Sequence, residues 1–255
     1  MSGRLDGKVC VITGAGGGMG ADAAVLFTEE GARVCVADVD VDAAARVADE
    51  VGGLAVQVDV GDSASVESMY RAAAEHFGGI DVLYNNAGIS PAEDASILDT
   101  ELQAWERVQA VNTRGVYLCC KHGIPYLLER GGGSVVNVAS FVAIVGAATS
   151  QISYTASKGA VLSMTRELGV QFARQGVRVN ALCPGPVETP LLLRIWGETP
   201  GAAERRLVHL PMGRMAKPRE IVNAALFLAS DESSYVNAAT FLVDGGLTAA
   251  YVTPE

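Results

Sequence analysis

The stretch Lys8-Val9-Cys10-Val11-Ile12-Thr13-Gly14-Ala15-Gly16-Gly17-Gly18-Met19-Gly20 decides the fold. Its first six residues form an apolar, β-branched run that is typical of a buried strand, and the glycines lead into an alanine-rich helical pattern. Glycines let the backbone approach a pyrophosphate closely, and the amides and dipole of a helix N-terminus attract the anion. We therefore predict a dinucleotide site here, with a purely structural turn as the alternative. Its contacts are expected from Gly14, Gly16, Gly17, Gly18, Met19 and Gly20.

Short apolar runs alternate with longer helical patterns along the whole chain, which indicates strand–helix units and a parallel sheet covered on both faces. Strands are predicted at 8–14, 32–38, 54–58, 80–85, 133–140, 176–183 and 239–244. Helices are predicted at 18–30, 40–51, 63–78, 101–129, 152–174 and 218–229. The fold class is therefore α/β, with a single doubly wound Rossmann domain over residues 1–255. Its ligand crevice is expected at the carboxyl ends of the seven strands.

The composition excludes several classes of protein. The 255 residues are 49% apolar and carry a formal net charge of -10, which disfavours binding to nucleic acid or to an anionic membrane surface. The five cysteines are never spaced as Cys-x-x-Cys and the three histidines lack metal-ligand spacing, so we expect a reducing compartment and no metal. No apolar run reaches the ~18 residues of a membrane span and no signal-peptide core begins the chain. A cytoplasmic location is predicted.

An acidic residue ends the second predicted strand. Asp38 lies twenty residues beyond Gly18, where a carboxylate can accept both adenosine ribose hydroxyls and would repel a 2′-phosphate. Val39 follows, and neither it nor the glycine turn supplies the basic side chain that a 2′-phosphate needs, so NAD is favoured over NADP. A cap for the next helix is the alternative role of Asp38. Asp59 and Val60 are predicted along the adenine edge, with a turn as the alternative role of Asp59.

A phenol and an ammonium stand four residues apart in the predicted helix 152–174. At that spacing the side chains of Tyr154 and Lys158 leave the same face of the helix. A tyrosine titrates near pH ~10 in water, and a neighbouring ammonium favours its phenolate form. The pair is predicted to transfer protons, whereas a chance surface pair is the alternative.

Several motifs, taken in order, resemble the short-chain dehydrogenase/reductase family from about Leu5 to Gly246. The matching segments are Thr13 to Gly20, Asn85-Asn86-Ala87-Gly88, Asn112, Ser140, Tyr154 with Lys158, and Pro184-Gly185-Pro186-Val187-Glu188-Thr189. The similarity extends to 3-oxoacyl-carrier-protein reductases and to NAD-dependent alcohol dehydrogenases. One feature departs from the pattern: Ser140 precedes Tyr154 by fourteen positions, one more than in most members. The extra residue puts the substrate-facing wall in doubt.

This resemblance implies an oxidoreductase that transfers a hydride between NAD(H) and a secondary alcohol or ketone. Tyr154 is then the general acid or base, Lys158 lowers its pKa together with oxidised nicotinamide, and Ser140 holds the substrate oxygen. Ser153 is a competitor for the serine role. Asn112 is expected to place a water near Lys158, with a backbone-bonded mid-helix residue as the alternative. The resemblance also places the cofactor against Asn86, Ala87, Gly88, Tyr154, Lys158, Pro184, Gly185, Val187 and Thr189.

The substrate side is less defined by the sequence. Residues 189–215 are expected to form a lid, and its leucines together with residues 141–145 suggest an apolar pocket for a small molecule. An apolar lid face resting on the protein body is the alternative. The predicted substrate contacts are Val142, Gln151 and Leu191. Many relatives form tetramers, so a homotetramer is expected.

Two other functions compete with this one. A 3-oxoacyl-thioester (acyl-carrier-protein) reductase is suggested by overall similarity, with Arg130 and Arg174 as places where a carrier protein would dock. Asp38 and the net charge of -10 argue against its usual NADPH and its acidic partner. A non-catalytic nucleotide-sensing or scaffold protein is the alternative of another class.

Overall fold

The computed structural model describes residues 3–189, 192–193 and 201–251. Within these ranges one sheet contains seven parallel strands. They are β1 (Val9–Thr13), β2 (Arg33–Asp38), β3 (Leu54–Gln57), β4 (Val82–Asn85), β5 (Gly133–Val138), β6 (Val177–Pro184) and β7 (Thr240–Val243). Their order across the sheet is β3-β2-β1-β4-β5-β6-β7, so the direction of winding reverses between β1 and β4. The predicted doubly wound α/β fold is confirmed.

Helices cover both faces of this sheet. They are α1 (Gly18–Glu29), α2 (Val41–Val51), α3 (Ser63–Phe77), α4 (Leu102–Val108), α5 (Gly115–Glu129), α6 (Ile152–Phe172), α7 (Ala202–Leu207) and α8 (Pro218–Ala229). One buried cluster joins α3, α5 and α6 to one face of the strands, and a second joins α1, α2 and α8 to the other. Burial on both faces explains why the strands are apolar throughout instead of alternating.

Local signals set the ends of the two helices that follow β2 and β3. The Asp40 carboxylate accepts a hydrogen bond from Ala43 N at 3.0 Å and caps α2, which ends at Gly52 in the left-handed region. Asp62 caps α3 in the same way, and Gly78 ends it. The residue that caps α2 is therefore Asp40, and Asp38 is left for another role.

The predicted helix over 101–129 is wrong in one respect. A π-helix over Gln109–Arg114 separates α4 from α5, so the segment contains a wider turn. Asn112 lies in that turn and is fully buried. A π-turn accommodates an extra residue without ending the helix, and apolar periodicity in the sequence does not reveal it.

In the part of the chain that the structure describes, no helix combines the length and the apolar character that crossing a membrane requires.

Candidate active site

A cleft of about 1520 Å³ opens at the carboxyl ends of the strands. It passes the β1–β4 reversal point, where ligands bind in doubly wound sheets. Pockets for one small ligand are typically ~300–1,000 Å³, so this cleft has room for a nucleotide and a second molecule.

The glycine turn after β1 forms one end of the cleft. Gly14 and Gly18 have φ values of 65° and 55°, a region that favours glycine. Nothing lies within 4 Å of the place where a β-carbon of Gly17 or Gly18 would be, and Gly17 caps α1 without a side chain. The turn therefore leaves open space beside the N-terminus of α1, as a pyrophosphate site requires.

The predicted glycine contacts have two different roles. The cleft is lined by Gly14, Gly17, Gly18 and Met19, whereas Gly16 and Gly20 are not part of its lining. A β-carbon on Gly20 would lie 2.1 Å from the Gly14 carbonyl oxygen, so only glycine allows α1 to pack this closely on the turn.

Acidic groups follow β2 and β3 at the same end. Asp38 is half-buried and lines the cleft; its Oδ2 accepts from Gly16 N at 2.8 Å and its Oδ1 accepts from Asp40 N at 3.1 Å. Asp59 Oδ1 accepts from Gly61 N at 2.8 Å, so Asp59 is a turn residue, and it also lines the cleft with Val60. The residues present fit an adenosine ribose at Asp38.

The segment after β4 crosses the cleft beside the glycine turn. Asn86 Nδ2 donates to the carbonyl oxygens of Thr13 and Gly14 at 3.1 and 3.0 Å. The Thr13 hydroxyl in turn accepts from the amides of Asn86 and Ala87, both at 3.2 Å. Asn86, Ala87 and Gly88 line the cleft as predicted.

The phenol, ammonium and hydroxyl predicted from three motifs meet in the middle of the cleft. Lys158 is 3% exposed; its Nζ donates to the Val138 carbonyl oxygen at 2.8 Å and lies 5.4 Å from the Tyr154 ring centroid. Ser140 lines the cleft at the end of β5 and hydrogen-bonds Tyr154. Ser153 is fully buried away from the cleft, and its hydroxyl has no hydrogen-bond partner within the described structure. The geometry therefore favours Ser140 over Ser153.

Burial dominates the titration of this cluster. It raises the pKa of the Tyr154 phenol, while the hydrogen bond from Ser140 lowers that pKa by a smaller amount. It also lowers the pKa of Lys158 to about 8. In this structure burial therefore outweighs the effect of Ser140 on the phenol, and the lowering of its pKa by Lys158 together with oxidised nicotinamide stays a prediction.

The Asn112 side chain is bonded to backbone, which is the alternative role that the sequence left open. Its Oδ1 accepts from Ile89 N at 2.8 Å, and its Nδ2 donates to Ile89 O at 2.9 Å and to Ser157 Oγ at 3.1 Å. The side-chain amide is thus occupied in holding the loop after β4. A β-carbon on Gly88 would lie 3.4 Å from Lys158 Nζ and 3.5 Å from Asn112 Oδ1, so this glycine leaves space between the two side chains.

The remaining predicted contacts lie on the opposite wall of the cleft. Its lining includes Pro184 at the end of β6, then Gly185, Val187 and Thr189, and also Phe141, Val142, Val145 and Gln151 after β5. Ile144, also expected there, is 44% exposed and outside the lining. Leu191, like residues 190 and 194–200 of the predicted lid, lies outside the described residues.

The cleft lining also includes charged or titratable residues that the sequence analysis did not name individually, among them Asp94, Arg206 and His209. Asp94 is in the loop after β4, whereas Arg206 belongs to α7 and hydrogen-bonds Thr149 on the other wall. Arg206 and His209 fall within the predicted lid 189–215, whereas no pattern in the sequence indicated that Asp94 belongs to the site.

The two arginines proposed to receive a carrier protein lie elsewhere. Arg130 and Arg174 precede β5 and β6, at the amino ends of the strands and thus at the sheet edge opposite the cleft. Arg130 is paired there with Asp81 at 3.1 Å. Neither is placed to guide a carrier to this site.

Known proteins share this architecture. A family model described as enoyl-(acyl carrier protein) reductase matches residues 14–248. The chain is 39% identical to 3-oxoacyl-[acyl-carrier-protein] reductase FabG of Thermotoga maritima, over 96% of this chain and 99% of that protein. It is 40% identical to meso-2,3-butanediol dehydrogenase of Serratia marcescens, over 99% of each.

A solved structure agrees with these matches. A short-chain type dehydrogenase/reductase from Mycobacterium marinum has a TM-score of 0.91 and 32% identity, covering 96% of this chain and 97% of that one. The ordered motifs, the parallel sheet and the similarity over nearly the full length agree. The chain belongs to the short-chain dehydrogenase/reductase family and is an oxidoreductase that acts on CH–OH groups.

Proposed function

We propose that this protein is an NAD-dependent dehydrogenase of a small, mainly apolar secondary alcohol, or a reductase of the corresponding ketone. One observation carries the proposal: Tyr154, Lys158 and Ser140 meet in the cleft whose other end holds the glycine turn and Asp38. The catalytic roles of Ser140, Tyr154 and Lys158 are part of this proposal, and Asn112, predicted as the fourth member of the site, is proposed as a positioning residue.

The chemistry divides among the residues as follows. NAD, held by the glycine turn and Asp38, would supply the hydride acceptor for oxidation and, in its reduced form, the hydride donor for reduction. The Ser140 hydroxyl holds the substrate oxygen, and Tyr154 takes the hydroxyl proton or gives one to the carbonyl oxygen. Because burial raises the pKa of the phenol, the ammonium of Lys158 and the positive charge of oxidised nicotinamide are both needed to favour the phenolate. Asn112 acts by holding the loop beside Lys158.

Asp38 supports NAD as the cofactor. Its carboxylate lines the cleft at the end of β2, and the next residue, Val39, is 66% exposed and uncharged. A 2′-phosphate placed here would meet a negative charge, whereas ribose hydroxyls would find an acceptor.

The walls near Tyr154 support an apolar substrate. Phe141, Val142 and Val145 form one side, and Gln151 supplies a polar group that can orient a substrate. Sequence identity does not choose the substrate, since the thioester reductase and the butanediol dehydrogenase are 39% and 40% identical to this chain. Arg130 and Arg174 lie at the sheet edge opposite the cleft, and this position favours a free small molecule over a carrier-bound substrate.

We also propose a cytoplasmic homotetramer built from one 1–255 domain, with 189–215 as the lid. Tyr117 on α5, Val170 on α6 and Leu242 on the edge strand β7 are exposed apolar side chains on the elements expected to pair. A solution mass of one subunit, 26.4 kDa, would contradict the assembly.

Replacing Tyr154 by Phe tests the catalytic proposal. We expect NADH binding, followed by fluorescence, to persist, and turnover of the best alcohol in a panel to fall by about 10²–10⁴-fold because the proton acceptor is lost. Tyr235→Phe, at a fully exposed tyrosine, is the matched control. If Tyr154→Phe left turnover intact, the sensing or scaffold function would be favoured.

Replacing Asp38 by Ser tests the cofactor assignment. We expect the ratio of kcat/KM for NAD to that for NADP to fall by roughly 10- to 100-fold, because a charged acceptor and a repulsive charge are both removed. Asp42→Ser removes the same charge from an exposed site near the start of α2 and should leave the ratio unchanged. A wild-type preference for NADPH would refute the assignment and favour the thioester reductase.

Replacing Lys158 by Met tests the buried ammonium. The lysine pKa is about 8 in the folded chain against an ordinary 10.5, so between these pH values the unfolded chain binds more protons and wild-type stability rises with pH. The cost of burying the charge is fully present below pH ~8. The stability of Lys158→Met relative to wild type, measured by urea unfolding, should therefore decrease from pH 7 to 10 by up to about 3 kcal/mol.

Lys121→Met, at an exposed lysine on α5, is the control for this pH dependence. A stability difference for Lys158→Met that stays constant over the same pH range would show that the amine is not perturbed.

A further inference from the structure

The first turn of α6 is capped by a carboxylate from a distant loop. Asp94 is 6% exposed and lies after β4, sixty positions before Tyr154. Its Oδ1 accepts from Ser153 N at 2.9 Å, and its Oδ2 accepts from Tyr154 N at 2.7 Å. Both oxygens are therefore used by backbone amides that a helix leaves without partners at its N-terminus.

The helix has no cap of its own. Gln151 occupies the N-cap position, but its side chain makes no capping hydrogen bond. By contrast, α2 and α3 are capped by aspartates that immediately precede them, Asp40 and Asp62. Since Tyr154 lies in the first turn of α6, the part of a helix that frays most readily, its position depends on the distant cap.

The loop that carries Asp94 accepts hydrogen bonds from the first three amides of α6. Ile152 N donates to Ala95 O at 3.2 Å, next to the two bonds to the Asp94 carboxylate. At its start the same loop is held by Asn112, which bonds both backbone groups of Ile89 and donates to Ser157 Oγ. This loop is continuous with the Asn86-Ala87-Gly88 wall of the cleft, so it connects the cofactor side to the helix that carries the phenol.

We propose that Asp94 is a positioning residue of the reaction: its carboxylate fixes the first turn of α6 and thereby places the Tyr154 hydroxyl for proton transfer. The inference rests on the acid–base role of Tyr154 proposed above. An aspartate suits the task because an ionised carboxylate offers an acceptor to each of two adjacent amides. An asparagine side chain offers one carbonyl acceptor, and its amino group would face the second N–H.

The test compares Asp94→Ala, Asp94→Asn and the matched control Asp40→Ala, which removes an aspartate cap from α2. Misplacement of a reacting group by ~1 Å can cost about 100-fold, so we expect kcat of Asp94→Ala to fall at least tenfold while KM and NADH affinity stay within about twofold. Asp94→Asn should lie between Asp94→Ala and wild type. Asp94→Ala and Asp40→Ala should each lower Tm by ~2–4 °C, because each loses one helix cap. Only Asp94→Ala should change kcat.

Two further readouts separate positioning from stability. The primary deuterium isotope effect on kcat should increase in Asp94→Ala, because a misplaced phenol makes the chemical step more rate-limiting. The Ser153 and Tyr154 amides should exchange with solvent faster in Asp94→Ala than in wild type, as measured by NMR. If Asp94→Ala does not fold, Asp94→Asn carries the same three measurements.

The proposal is overturned if kcat of the Asp94 variants falls no more than that of Asp40→Ala, or if amide exchange at Ser153 and Tyr154 is unchanged. Failure of the proposed function looks different: the wild type would then turn over no alcohol or ketone. In that case slow amide exchange that is lost in the Asp94 variants would still support the cap, and unchanged exchange would refute it.

Discussion

Hydrogen bonds between Thr13 and Asn86 hold the ends of β1 and β4 at the place where the winding of the sheet reverses. The Asn86 side chain satisfies the carbonyl oxygens of Thr13 and Gly14, and the Thr13 hydroxyl satisfies two amides after β4. Because the chain adds strands in opposite directions from this point, a gap opens at the carboxyl ends of β1 and β4. Without these hydrogen bonds, the backbone groups that border the gap would be unpaired. The glycine turn, the wall formed by residues 86–88 and the cleft between them all depend on this contact.

A second constraint is the cost of burying charge on α6. Lys158 is nearly inaccessible and faces the Val138 carbonyl oxygen, so burial lowers the pKa of its amine and raises that of the neighbouring phenol. An added positive charge would change the pKa values of these two groups strongly, because electrostatic interactions are strong where water is excluded. Two other interactions of α6 offset the free-energy cost of the buried charge. Asp94 caps its N-terminus, and its body packs on the sheet.

Much of the fold follows from local patterns. Seven apolar runs separated by helical patterns predict the parallel sheet, since strands buried on both faces need no polar alternation. The errors have physical causes. The π-turn around Asn112 adds a residue without changing the apolar spacing, so the helix over 101–129 looks continuous in the sequence. Burial raises the pKa of the Tyr154 phenol, and the extent of burial is a property that a four-residue spacing does not report.

The sequence by itself determined the strand–helix order, the glycine turn, the carboxylate after β2 and the pairing of Tyr154 with Lys158, because each is a property of neighbouring residues. Only the tertiary structure decided which groups surround that pair. Asp94 from the loop after β4 meets Arg206 and His209 from the predicted lid at the cleft, and Arg130 and Arg174 lie at the opposite edge of the sheet. Parallel strands gather their carboxyl ends at one edge, so distances between such residues are set by the order of strands in space and not along the chain.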